Sequence, residues 1–103
     1  MASPNDSPSP PTDAAAVIVL VSGRVQGVGF RYFIFRAGVA GGLTGWVRNL
    51  ENGTVEARAE GSRASIERWL LALKKGPSLS LVENLAVTWL GPTHGFAHFA
   101  VVD

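Results

Sequence analysis

The chain has 103 residues, 47 % of them hydrophobic and 17 % charged, the proportions of one folded globular domain. It contains no cysteine, which excludes thiol catalysis, zinc ribbons and disulfide frameworks and suits a reducing compartment. A formal net charge of +1 gives no broad basic surface for nucleic acid, and the longest apolar run, Ala14 to Val21, has eight residues against the roughly 20 a helix needs to span a bilayer.

Residues 1–13 are rich in Ser, Pro and Asp with nothing to bury, so they read as a disordered leader ahead of a folded domain over 14–103. No Lys or Arg occurs in the twelve residues after Met1, and Ser22-Gly23-Arg24 follows the apolar run directly. That pattern is not a secretory signal, and a cytoplasmic location is expected. Ala16 to Val21 then reads as a β-branched strand, and a helix opens at Phe30 or Arg31 and stops before Gly41-Gly42. Thr44 to Leu50 and Thr54 to Ala59 read as an antiparallel pair joined at Glu51-Asn52-Gly53, because Asn-Gly supplies the positive φ angles of a hairpin turn.

A second helix starts at Ser62, a capping residue, and buries Ile66, Trp69, Leu70 and Leu73, spaced i, i+3, i+4 and i+7. Lys74-Lys75-Gly76-Pro77 ends it, with cations at the negative end of the helix dipole and then two helix breakers. Leu81 to Leu90 gives a fourth strand, and after the turn at 91–95 Phe96 to Val102 gives a fifth. The order is that of an α+β, ferredoxin-like βαββαβ sandwich, in which an antiparallel sheet carries both helices on one face. Such a fold hosts enzymes, metal carriers and RNA-binding modules, so function has to be argued from a site.

Charge points to that site. Between Ala14 and Leu50 the chain carries Arg24, Arg31, Arg36 and Arg48 and no Asp or Glu, whereas Glu51, Glu56, Glu60, Glu67 and Glu83 come later. An anionic ligand is implied if the first half builds the site. Within it, Gly23-Arg24-Val25-Gln26-Gly27-Val28-Gly29-Phe30-Arg31 places three glycines where a strand hands over to a helix. Glycines let the backbone curl round a ligand, consecutive N–H groups make an anion nest, and the helix start adds partial positive charge. Arg31 adds a planar fork of donors suited to phosphate. The run is neither a Walker A loop nor a dinucleotide fingerprint. A plain glycine turn with a surface arginine is the competing reading.

The same run at 23–31, followed by Gly-Trp-Val-Arg-Asn at 45–49 and Gly-Thr-Val-Glu at 53–56, resembles the signature of acylphosphatases, and the resemblance extends over roughly Val17 to Val102. It implies a small hydrolase of carboxyl phosphates that uses no metal and no cofactor. It further implies that Arg31 binds the phosphate, that Asn49 orients the attacking water, and that the backbone N–H groups of Gln26, Gly27, Val28, Gly29, Phe30 and Arg31 cradle the phosphoryl oxygens. Taken alone, Asn49 would pass as a turn residue at a strand end.

Other residues carry less. His94 and His98 have no third ligand nearby and read as surface or structural groups. Trp46 falls on the face opposite Asn49 and reads as core, as do Trp69 and Trp89. Arg63, Glu67, Arg68, Lys74 and Lys75 read as the solvated face of the second helix, and Arg24 and Arg48 as rim charges that steer an anion. The first helix, residues 32–40, is apolar on nearly every side, with Arg36 its one charge and Gly38 inside it. A monomer is expected, with that helix as the surface through which copies could associate.

Two other functions compete with hydrolysis. One is a non-catalytic module binding phosphate or carbamoyl phosphate, since the resemblance extends to a domain of larger carbamoyl-transferring maturation proteins. An RNA-binding module of the same fold would show exposed aromatics on its central strands, where this chain has Val17, Ile18, Val19 and Leu20.

Overall fold

A computed structural model describes residues 13–103, so all of the Ser/Pro-rich leader except Asp13 lies outside the described residues. The elements are β1 (Ala14–Arg24), α1 (Phe30–Ala40), β2 (Thr44–Asn49), β3 (Val55–Ser62), α2 (Arg63–Lys75), β4 (Leu81–Leu90) and β5 (Phe99–Val101). They form one five-stranded sheet in the order β4-β1-β3-β2-β5.

Strand alternation explains where the core lies. Val17, Val19 and Val21 of β1, Val47 of β2 and Val55, Ala57 and Ala59 of β3 project to one face and are fully buried. Phe30 and Ile34 of α1 and Ile66, Trp69 and Leu73 of α2 close over them, so both helices cover the same face. Truncating a side chain as buried as Ile34 costs about 2–5 kcal/mol in comparable cores. The Trp69 indole N–H also donates to the Ile34 carbonyl at 3.2 Å, which ties α2 to α1.

Helix α2 has the ends its sequence predicts. The Ser62 hydroxyl accepts from the Ser65 N–H at 3.1 Å, and Lys74 and Lys75 fill the last turn before Gly76, at φ 70°. Helix α1 stops at Gly41 as expected. Its interior Gly38 has a packing reason, because a Cβ there would lie 2.6 Å from the Phe99 ring of β5.

The sheet departs from the all-antiparallel expectation at one edge. Strands β1 to β4 pair antiparallel, but β5 runs parallel to β2, with Gly45 opposite Phe99 and Val47 opposite Val101. The cause is the connection. Strand β4 leaves the sheet at the end where Ala16 faces Leu90, and residues 91–98 cross that end to reach β2 where it begins. A strand entering there has to run with β2. It is also shorter than expected, Phe99–Val101 rather than 96–102, because Phe96 to His98 still belong to the crossing.

Glu60, buried at the end of β3, holds that crossing. Its carboxylate accepts from the N–H groups of Thr93 (3.0 Å) and His94 (2.8 Å), the Thr93 hydroxyl (2.8 Å) and the Arg58 guanidinium (3.1 Å). Two tryptophans expected in the core lie elsewhere. Trp46 is half-buried on the helix-free face, with the Arg48 guanidinium 5.2 Å from its ring, and Trp89 is 37 % exposed with Arg63 stacked on it at 4.0 Å. Trp89 lies on the edge strand β4 and Trp46 on the uncovered face of β2, and in both places a cationic stem covers a ring that the core does not reach. Arg63 is therefore engaged, and only part of the α2 charged set is free.

Candidate active site

Strand β1 delivers the chain into the loop 25–29, and that loop feeds α1. Gly27 and Gly29 sit at φ 76° and 77°, the left-handed region that other residues adopt only with strain. Gly29 is also the N-cap of α1. It offers no capping side chain, and the first turn holds no acidic residue. The first N–H groups of a helix have no partner within it, so this end presents unpaired donors and partial positive charge with no acidic side chain in its own turn.

Val25, Gly27, Gly29, Phe30, Arg31, Tyr32, Asn49 and Val101 line a cleft of about 310 Å³ around this helix start. The structure thus brings Arg31 and Asn49, 18 positions apart, together with three of the other expected loop positions. The side chains of Gln26 and Val28 turn away from it. Val28 leans on the core, and the Gln26 side-chain amide donates to the carbonyls of Leu50 and Thr54, both at 2.8 Å. Gln26 therefore ties the loop to the turn that follows Asn49. Nothing in the sequence marked that role, since a glutamine in a loop reads as solvated until its partner carbonyls are placed.

The turn itself differs from the expected one. Gly53 has φ 90°, but Asn52 stays out of the positive region. Its side-chain oxygen instead accepts from the Thr54 N–H (3.1 Å) and hydroxyl (2.6 Å), a side-chain turn in a loop longer than two residues.

Arg31 is partly exposed, at 34 % of its side chain. One donor, Nη1, reaches the Val102 carbonyl at 3.2 Å, and the Asp103 carboxylate lies 4.0 Å from the same nitrogen. Asn49 ends β2 on the helix-covered face. Its Oδ1 is buried and has no hydrogen-bond partner among the described residues. A buried acceptor left unpaired costs about 1–3 kcal/mol, an uncommon feature in a native fold outside functional sites.

This cleft is not the largest cavity. One of about 440 Å³ opens on the helix-free face between Trp46, Arg48, Phe96 and His98, but it has no helix terminus and no orphaned acceptor, so chemistry rather than size assigns the site. Among the described residues no three His, Cys, Asp or Glu side chains cluster as metal ligands, and no helix is long and apolar enough to cross a membrane.

Comparison with known proteins gives a consistent result. The family model for acylphosphatase matches residues 17–101. An acylphosphatase of Syntrophotalea carbinolica is 59 % identical over 71 residues, 69 % of this chain and 77 % of that protein. The crystal structure of acylphosphatase from Bacillus subtilis superposes with a TM-score of 0.84 at 37 % identity, covering 86 % of this chain and 99 % of that one. The HypF protein of T. kodakarensis matches with a TM-score of 0.76 at 30 % identity, over 86 % of this chain but 12 % of that much larger one. By sequence and by fold, the chain belongs to the acylphosphatase family.

Proposed function

We infer that the protein hydrolyses the carboxyl–phosphate bond of small acyl phosphates, releasing a carboxylate and inorganic phosphate, and that it needs neither metal ion nor cofactor. The observation that carries this reading is the buried, unpaired Oδ1 of Asn49, which shares a cleft with an uncapped helix start and an arginine. The helix start and Arg31 suit a phosphoryl group, and the orphaned acceptor suits a water held beside it.

In this mechanism the N–H groups from Gln26 to Arg31, with the Arg31 guanidinium, hold the three phosphoryl oxygens. Asn49 accepts one hydrogen bond from water and aims its oxygen at phosphorus. The new P–O bond forms as the bond to the acyl oxygen breaks, and the carboxylate departs with the bonding electrons. Carboxylate is a weakly basic leaving group, so the loose transition state needs no strong acid. Asn49 cannot usefully take a proton, and the water proton passes to a phosphoryl oxygen. Fixed donors of this kind commonly lower a barrier by several kcal/mol.

The domain extends over 14–103, functions in the cytoplasm and acts as a monomer on a small-molecule substrate, without nucleic acid or membrane as partner. The absence of cysteine supports that location, and the burial of Phe30, Ile34 and Gly38 of α1 within this one chain supports the monomer. A binding module without turnover is the second reading, favoured by the likeness to one part of HypF. Phosphate release from acetyl phosphate in the presence of a metal chelator separates them. The enzyme predicts turnover unaffected by chelator. Phosphate binding with no turnover would favour the module, and turnover abolished by chelator would refute independence from metal.

A further inference from the structure

The phosphate cleft does not end at the helix start. A groove of about 440 Å³ lined by Gly29, Tyr32, Phe33, Arg36, Ala37 and Ala72 shares Gly29 and Tyr32 with it and runs along α1 beside α2. The spacing explains the shape, since 29, 32, 33, 36 and 37 fall on one side of a helix and small residues at 37 and 72 leave the floor open. Asn49 is not part of this groove. A leaving group lying in it would be separated from the water that Asn49 holds, as in-line displacement requires.

The groove is mostly apolar and has a single charge. Arg36 is exposed, lies 5.8 Å from the Tyr32 ring centroid, and makes no ion pair among the described residues. No acidic residue occurs on α1, and Glu67 of α2 is paired with Arg63. Arg36 stands one helical turn beyond Tyr32, about 6 Å along the axis at the usual rise per residue.

Resting on the reading above, we propose that this groove takes the acyl group of the substrate and that Arg36 selects acyl chains ending in an anion. The substrate class is then a mono-acyl phosphate of a short dicarboxylic acid, whose methylene chain lies over Phe33, Ala37 and Ala72 and whose distal carboxylate meets the Arg36 guanidinium. Arg36 touches the leaving group, not the phosphorus, and acts on recognition.

The test compares kcat/KM for glutaryl phosphate and for its methyl ester, equal in reach but uncharged at the far end, with acetyl phosphate as the reference that does not fill the groove. The wild-type protein prefers the carboxylate by about two- to fivefold, the range of a partly exposed ion pair, and 0.5 M salt erases the preference. Arg36→Gln brings the ratio to about one and Arg36→Lys restores most of it. Ala72→Leu, which fills the floor, lowers kcat/KM for both glutaryl compounds relative to acetyl phosphate. Equal use of the two glutaryl compounds by the wild type, or a preference that survives in Arg36→Gln, overturns the proposal while hydrolysis of acetyl phosphate stands. Failure to hydrolyse acetyl phosphate at all overturns the hydrolase reading and this one with it.

Discussion

Arg31 reaches the cleft with one donor already committed to the Val102 carbonyl, which restrains its long side chain before any ligand arrives. A guanidinium held in this way loses less freedom on gripping phosphate than a free one would. Arg31→Ala should therefore lower kcat/KM by about 10²–10³-fold and weaken inhibition by inorganic phosphate as well, read by steady-state kinetics with phosphate as inhibitor. Gln26 works at one remove. Its two hydrogen bonds, to Leu50 and Thr54, fix the distance between the glycine loop and the turn beside Asn49. Gln26→Leu should reduce kcat more than it raises KM, since a displaced Asn49 still permits phosphate to bind; an unchanged kcat would remove Gln26 from the positioning role. The loop and Asn49 were legible because glycine spacing and family resemblance act locally along the chain. The Gln26 tie was not, because its partners lie 24 and 28 positions away.

Elements were legible where periodicity and end signals coincide. Helix α2 has its capping serine and its Lys-Lys-Gly-Pro end where the sequence places them, and its stripe is buried at Ile66, Trp69 and Leu73 with Leu70 half-buried. Strand β5 was less so, because its direction depends on which end of the sheet residues 91–98 cross. The tryptophans illustrate the same limit, since alternation shows which face a side chain takes but not whether another layer covers that face. Gly38 reads from sequence as a weakness in α1, about 1 kcal/mol relative to Ala. Its contact with Phe99 reverses the expectation. Gly38→Ala should destabilise the protein by about 1–3 kcal/mol through overpacking, seen as a lower urea midpoint at unchanged slope, and a rise in midpoint would show that the Phe99 ring moves aside freely.

At the scale of the molecule, Glu60 joins the β4–β5 crossing to the centre of the sheet and so helps to hold the strand that lines the cleft through Val101. Burial raises its pKa, but the Thr93 hydroxyl, the His94 N–H, the Arg58 guanidinium and the Thr93 N–H outweigh burial and hold it at about 2 instead of 4.5. In that interval the unfolded chain binds the proton and the folded one does not, so the contribution is complete above pH 4.5 and is lost as pH falls toward 2. Urea midpoints should fall between pH 5 and 3 more steeply for the wild type than for Glu60→Gln, and parallel slopes would show that ionised Glu60 adds nothing to stability. Helix α1, apolar on nearly every side in sequence, buries Phe30, Ile34 and Gly38 and leaves Tyr32, Arg36, Val39 and Ala40 exposed. Sedimentation should show a single monomeric species, and a concentration-dependent dimer would indicate that those residues meet a second copy.

The most direct test of the water-positioning role is Asn49→Ala assayed on acetyl phosphate, with the inhibition constant for inorganic phosphate measured alongside. In this variant kcat should fall by about 10²-fold or more while phosphate still binds within a few-fold of wild type, since Asn49 holds the water and Arg31 with the loop amides holds the anion. Turnover at the wild-type rate, or loss of phosphate binding in step with turnover, would contradict it.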